Sequence, residues 1–402
     1  MTMRLHNVKH AIRWIAVALA CAPSLAVAQS DASRVLLDGR GESHQIRLIS
    51  ISDEAIIYED QLGRRRQATV GGYVALLPAL PDEVSRATPS RTDLSPIGPG
   101  VIEMNDGQRF PGQPAPTGGE DDALVWSHPT FGLVTAPIDS IARVALNPST
   151  DMPRMTHDGE LIDDQLVLVN GDRLVGFLVS FGDPVEFEVD GETIAIPLDR
   201  ISEATLANPP ASMSGMVVWL EDGSVAVVAS LETRLDERVS VQLPGGQSAM
   251  VPLDDVRAVA FDAGRLHPLA SIPIESQRAI GERGVFDPVH ELIGSALAPA
   301  DLNAADIELP GPMEARWKLP DGAVRFAGVA ELPLEALPWG DCDLVIAQNG
   351  VELLRERLNL DRPRFEFSVP VEAGPMRIAV EPGAYGPISD RVVLRRPLVL
   401  TE

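Results

Sequence analysis

The sequence is poor in the residues on which reactive and membrane-spanning proteins depend. Its 402 residues hold two cysteines, Cys21 and Cys342, and two lysines, Lys9 and Lys318, while Phe, Trp and Tyr together make up 4%. Cys21 falls in an amino-terminal leader, so Cys342 has no partner for an internal disulfide and hydrophobic cores must hold the fold. In Asp341-Cys-Asp-Leu-Val the thiol reads as a small buried residue. Beyond the leader the histidines His44, His128, His157, His267 and His290 stand singly, with no His-x-His, His-Glu-x-x-His or Cys-x-x-Cys spacing. No metal and no cofactor are expected. Gly-x-Ser-x-Gly, Ser-x-x-Lys and phosphate-loop patterns are also missing, so an enzyme is not expected, although the many acids leave an unrecognised glycoside hydrolase as one alternative. Past the leader no apolar run approaches the roughly 20 residues of a membrane helix. Positive charge is scarce too. A net charge of −25 and a pI near 4.6 repel phosphate backbones and anionic lipid, which excludes nucleic acid as a partner.

What is present begins with a leader. Arg4, Lys9 and Arg13 precede an apolar run from Trp14 to Ala22, then Pro23 and the small-x-small Ala26-Val27-Ala28. Residues 1–28 read as a secretory signal peptide, which predicts a secreted or periplasmic protein beginning at Gln29, without membrane insertion after cleavage. Cys21 lacks a leucine three positions earlier, where Ala18 stands, so a lipid anchor is not expected.

A repeated pattern follows. An apolar strand ends in Asp/Asn-Gly, a second strand and a polar hairpin come next, and Pro-[Leu/Ile]-Asp-x-[Ile/Val] opens a last strand. It is found at Leu36-Leu37-Asp38-Gly39; at Met104-Asn105-Asp106-Gly107 with Pro137-Ile138-Asp139-Ser140-Ile141; at Asn170-Gly171 with Pro197-Leu198-Asp199-Arg200-Ile201; and at Asp222-Gly223 with Pro252-Leu253-Asp254-Asp255-Val256. Asp-Gly and Asn-Gly supply the positive φ of tight reversals. Gly112 and Gly176 lie five residues past two of these turns, and a glycine inside a strand marks a sharp bend. The fold class is therefore all-β: serial small β-barrel or β-sheet modules followed by a C-terminal β-sandwich (jelly roll). The division is a signal peptide, 1–28; module 1, 29–81; a linker, 82–100; module 2, 101–148; a linker, 149–163; module 3, 164–208; module 4, 209–262; a joint with a short helix around Val289 to Leu297, 263–312; and the sandwich, 313–402. Trp219 in Met216-Val-Val-Trp-Leu reads as a packing residue.

Strand, Asp-Gly turn, glycine-bent strand and closing Pro-Leu-Asp-x-Ile occur in the order of a Sm-like or SH3-like barrel, which the repeats resemble. The C-terminal third carries Trp317-Lys-Leu-Pro-Asp-Gly-Ala-Val-Arg-Phe, Leu344-Val-Ile-Ala-Gln-Asn-Gly-Val-Glu-Leu-Leu, Gly374-Pro-Met-Arg-Ile-Ala-Val-Glu-Pro-Gly and Asp390-Arg-Val-Val-Leu. In these stretches it resembles the NPCBM domain, the carbohydrate-binding module named for its place at the N-terminus of glycoside hydrolase family 98 enzymes and common in secreted planctomycete proteins. It implies a galactose-binding-like sandwich over about Leu266 to Leu400. Members usually carry a Gly-Val-His segment where this chain has Pro310-Gly-Pro-Met.

The expected partner is thus an extracellular or cell-envelope glycan. Loop aromatics not assigned to a core would meet it: Trp339 in Leu337-Pro-Trp-Gly-Asp and Tyr385 in Gly383-Ala-Tyr-Gly-Pro, with Asp390 and Arg391 able to bond hydroxyls. Asp390 also fits an inward structural role. The scarcity of aromatics favours a rival, a structural or assembly protein with protein partners.

Overall fold

The computed structural model describes residues 33–80, 100–115, 122–146, 161–234, 236–281, 289–292, 300–384, 386 and 389–402. The leader, His157 and Tyr385 lie outside them. Every helical segment among the described residues is a three-residue 3-10 turn, and the chain is all-β.

Four five-stranded units share one plan. The first has β1 (Ser33–Asp38), β2 (Ser43–Ile51), β3 (Ala55–Asp60), β4 (Arg65–Thr69) and β5 (Tyr73–Pro78). Each strand pairs antiparallel with the next through β4, and β5 returns to pair with β1. The second repeats this with β6 (Gly100–Met104), β7 (Arg109–Pro114), β8 (Ala123–His128), β9 (Gly132–Pro137) and β10 (Ile141–Ala145), and the third with β11 (Asp164–Leu168), β12 (Arg173–Ser180), β13 (Val185–Val189), β14 (Glu192–Ile196) and β15 (Ile201–Thr205). In the fourth the second strand is broken, giving β16 (Val217–Leu220), β17 (Val225–Val227), β18 (Ser230–Thr233), β19 (Arg238–Gln242), β20 (Ser248–Pro252) and β21 (Val256–Ala260).

The strand glycines explain the bend. A Cβ at Gly176 would stand 1.9 Å from the Glu188 carbonyl oxygen and one at Gly112 2.3 Å from that of Ser127. Only a residue without a side chain lets the second strand cross so close to its neighbour. Two expectations need correction. The Pro-Leu-Asp segment does not open the last strand but forms a 3-10 turn before it, at Ile138–Ser140, Leu198–Arg200 and Leu253–Asp255, with proline as N-cap. Proline's fixed φ suits the start of a helical turn. In the first unit the left-handed glycine is Gly41 (φ 70°) and not Gly39, because the Asp38 carboxylate accepts the N–H groups of Arg40 and Glu42 and lengthens the turn.

The units join out of sequence order. β5 pairs with β21, β10 with β15, and β7 meets β17 at Arg109 and Val225. One apolar core runs through all four, with Ile56, Ile102, Trp126, Phe187 and Val241 fully enclosed.

The remaining strands build a two-sheet sandwich: β22 (Leu266–Pro268), β23 (Ile274–Ala279), β24 (His290–Leu292), β25 (Asp306–Pro310), β26 (Met313–Leu319), β27 (Ala323–Glu331), β28 (Cys342–Gln348), β29 (Val351–Leu358), β30 (Arg364–Pro370), β31 (Gly374–Pro382) and β32 (Arg391–Thr401). One sheet runs β24-β25-β32-β27-β30 with β22 also on β32, and the other β23-β26-β31-β28-β29. Residues 263–312, expected as a joint, therefore supply β22 to β25. Residues 290–292 of the expected helix are strand. These are short strands, and β22, β23 and β24 lie at sheet margins, where proline and polar residues are tolerated and apolar alternation fades. Trp317, Phe326 and Met376 fill the interior.

A third cluster seals the sandwich against the first and fourth units. Leu37, Val74, Val217 and Trp219 pack there on Leu302, Leu398 and Leu400. Trp219, 2% exposed, places its indole N–H 3.5 Å from Asn303 Oδ1. Arg257 bonds Asp301 from Nε at 3.0 Å, and Arg396 donates to the Pro78 carbonyl at 2.7 Å.

Candidate functional site

Three connections of the sandwich meet at one end: the β25–β26 turn at Gly311, the β27–β28 loop of residues 332–341, and the β31–β32 loop of residues 383–390. Their approach is close. A Cβ at Gly311 would lie 2.5 Å from the Asp390 carbonyl oxygen, and one at Gly383 2.1 Å from that of Asp341. Asp341 ties the loops together. Its backbone oxygen accepts the Gly383 N–H (2.7 Å), its Oδ2 accepts the Ala384 N–H (2.8 Å), and Arg357 from β29 grips its carboxylate with two bonds of 2.6 Å. The Arg357 guanidinium holds the Asp341 carboxyl below its ordinary range.

Trp339 stands on this framework. Its N–H and that of Gly340 both bond the Ala336 carbonyl, at 3.1 and 2.6 Å, which fixes the backbone of the turn, yet its side chain is 66% exposed. The described tryptophans elsewhere, Trp126, Trp219 and Trp317, are buried. Arg391 opens β32 with its side chain 42% exposed; it pairs with Glu308 and lies 3.9 Å from Glu335, which sits on the Trp339 loop.

Asp390 differs from the expectation that it could bond a ligand. It is 1% exposed, its Oδ1 accepts the Asp341 N–H at 3.4 Å, and its Oδ2 has no hydrogen-bond partner. Burial pushes its carboxyl up to about 6. Its role is inward, because the glycine turns on both sides fold backbone over it. Sequence reasoning missed Asp341, Arg357 and Glu335. Asp341 and Arg357 are joined only by the β28–β29 register, which spacing does not disclose.

Three groups of reactive side chains among the described residues are engaged within the fold. His128 Nε2 lies 2.9 Å from Ser224 Oγ and 3.9 Å from Asp222 Oδ2, bringing serine, histidine and aspartate together across the second and fourth units. Its Nδ1 accepts the N–H groups of Thr130 and Phe131, so Nε2 carries the proton and donates toward the hydroxyl. A general base must accept from its serine, and here the roles are reversed. Burial lowers this imidazole to about 4 and leaves it neutral, with Ser224 wholly enclosed. Cys342 is buried and its thiol is pushed up by desolvation, which makes it inert. Asp38, Glu42 and His44 lie within 4.8 Å of one another on the surface turn of the first unit, where Asp38 is already bonded to that turn. A cleft of about 550 Å³ lies between the first unit and the sandwich. Its arginines are committed: Arg395 to Glu331 and Asp306, each at 2.6 Å, Arg364 to Glu331 at 3.3 Å, and Arg396 to Asp301 at 3.4 Å.

No family model and no curated protein matches the chain. Among solved structures it is similar to the CBM51 of a Clostridium perfringens GH95 protein, in complex with methyl-galactose (10% identity, 33% of this chain and 99% of that chain, TM-score 0.28). It is also similar to the tandem CBM51 modules of a Streptococcus pneumoniae family 98 glycoside hydrolase (9% identity, 75% and 88%, TM-score 0.27). A third match joins CBM51-2, in complex with GlcNAc, and the INT domains of Clostridium perfringens ZmpB (10% identity, TM-score 0.29), and covers 43% of each chain.

Proposed function

We propose that this is a secreted, non-catalytic protein that binds extracellular or cell-envelope glycan at the loop end of its sandwich. The exposure of Trp339 carries the reading. A ring that only pinned its loop onto the sandwich would have to be buried, and a side chain 66% open to solvent is not. An aromatic face on a fixed backbone suits the apolar face of a sugar ring, and it sacrifices little conformational entropy on binding. Arg391, held by Glu308, offers donors to hydroxyls from the same end of the sandwich. Tyr385 lies outside the described residues but follows Ala384, whose N–H is held by Asp341.

A glycan array with the secreted protein, followed by titration of the retained sugar, tests this. Trp339→Ala should weaken retention about tenfold or more, equivalent to roughly 1.4 kcal/mol, with the melting temperature little changed. Unaltered retention by folded Trp339→Ala, or no retention of any glycan by the parent protein, would refute the proposal.

A further inference from the structure

The outward face of the β23-β26-β31-β28-β29 sheet gathers cations in a chain that has few. Along β26, Ala315, Trp317 and Leu319 point into the sandwich, so Glu314, Arg316 and Lys318 share the outer face. Arg278 of β23 stands beside Glu314, and Arg377 of β31 lies directly opposite Arg316. Three guanidiniums converge on one carboxylate. Glu314, itself buried, accepts from Arg278 Nε at 2.7 Å, Arg377 Nε at 2.6 Å and Arg316 Nη2 at 3.4 Å. Arg377 also reaches Glu381 at 3.3 Å, but that carboxylate is shared with Arg355 at 2.9 Å. Lys318 is exposed and has no ion pair among the described residues. The patch thus sets four cations against Glu314 and a share of Glu381. Like charges directly opposite on neighbouring strands destabilise a sheet, and Arg316 against Arg377 is such a pair. Because Arg278 bonds Glu314 through Nε, its Nη groups stay open on a side chain 71% exposed, in the fork that grips an oxyanion.

We infer that this face binds an acidic saccharide, with its carboxylates seated on Arg278, Arg316, Arg377 and Lys318. The anion follows from the excess of positive charge. The choice of a saccharide rests on the glycan reading above, and the surface suits it. The outer-face neighbours of the patch are Ser276, Pro375 and Ala379, which offer no large apolar anchor of the kind protein interfaces rely on. Strands lie about 4.8 Å apart, so Arg278, Arg316 and Arg377 on three adjacent strands meet successive acidic units of a chain lying across them. The net charge of −25 opposes long polyanions, but salt screens exposed charges beyond about 8 Å at physiological ionic strength, and a short oligomer meets chiefly the local patch.

Isothermal titration of the secreted protein with tri-galacturonate should show saturable binding that weakens with added salt. The fully methyl-esterified trimer, the same sugar without its charge, should not bind at this face. Arg278→Gln and Arg316→Gln should each weaken binding of the acid about tenfold or more. The melting temperature of Arg316→Gln should stay level or rise, because the like-charge pair is gone, whereas a purely structural arginine would lower it. Trp339→Ala should leave this binding intact. Binding of the ester, or of a tri-aspartate peptide or inorganic sulfate, as tight as that of the acid overturns the inference. So does the absence of any binding of tri-galacturonate, which leaves the loop-end reading standing if a neutral glycan is retained. Loss of binding in Trp339→Ala but not in the arginine variants moves the acidic sugar to the loop end and overturns it as well. Arginine-dependent binding that survives Trp339→Ala, with no neutral glycan retained, upholds this face and sinks the loop-end reading alone.

Discussion

Asp390→Asn should stabilise the protein at neutral pH and do little in acid. The carboxyl is raised from an ordinary 3.8 to about 6 because folding strips it of water and leaves Oδ2 without a partner. Below the unfolded value both states are protonated and the group contributes nothing to the pH dependence. As pH rises from about 4 to about 6 the unfolded chain loses its proton and the folded one retains it, so stability falls; above about 6 the loss is complete. At about 1.4 kcal/mol for each pH unit of displacement, the native Asp390 costs the sandwich roughly 3 kcal/mol at pH 7. The amide cannot ionise. Any fixed offset from its N–H donors appears equally at every pH and cancels in the slope. Urea midpoints of both proteins between pH 4 and pH 8 give the difference directly. Glu314 and Glu381, whose carboxyls are lowered, tilt both curves the other way and drop out of the comparison, while Asp341, whose N–H and charge act directly on Asp390, is part of the measured difference. A stability difference that stays flat across this range would refute the assignment of a destabilised carboxyl to Asp390.

Two further substitutions test the architecture. Gly176→Ala should destabilise the third unit by about 1–3 kcal/mol, the usual cost of overpacking, because the new methyl meets the Glu188 backbone; a circular-dichroism melt unchanged from the parent would contradict the close strand crossing. Trp219→Ala should cost about 3–5 kcal/mol and, read by limited proteolysis, expose sites on both sides of the seam with the sandwich, whereas damage confined to the fourth unit would mean the seam is not cooperative.

The sequence by itself determined the all-β class, the repeated unit and the bent second strand, since these depend on local features. Turn glycines such as Gly107 and Gly171 set the reversals, period-two alternation sets the strands, and Gly112 and Gly176 mark where backbones cross. It also picked out Trp339, because a tryptophan between proline and glycine belongs to no alternating strand. Only the tertiary structure decided which units meet. The pairing of β5 with β21 joins residues nearly two hundred apart in sequence, and no local pattern encodes such a partner. The same holds for charge. Whether Asp390 faced a ligand or the interior depended on loops that Gly311, Gly340 and Gly383 allow to close over it, and whether His128 was a base or a donor depended on two backbone amides at its Nδ1. Burial is a property of the assembled chain, and it is burial that sets both the protonation of these groups and the exposure of Trp339.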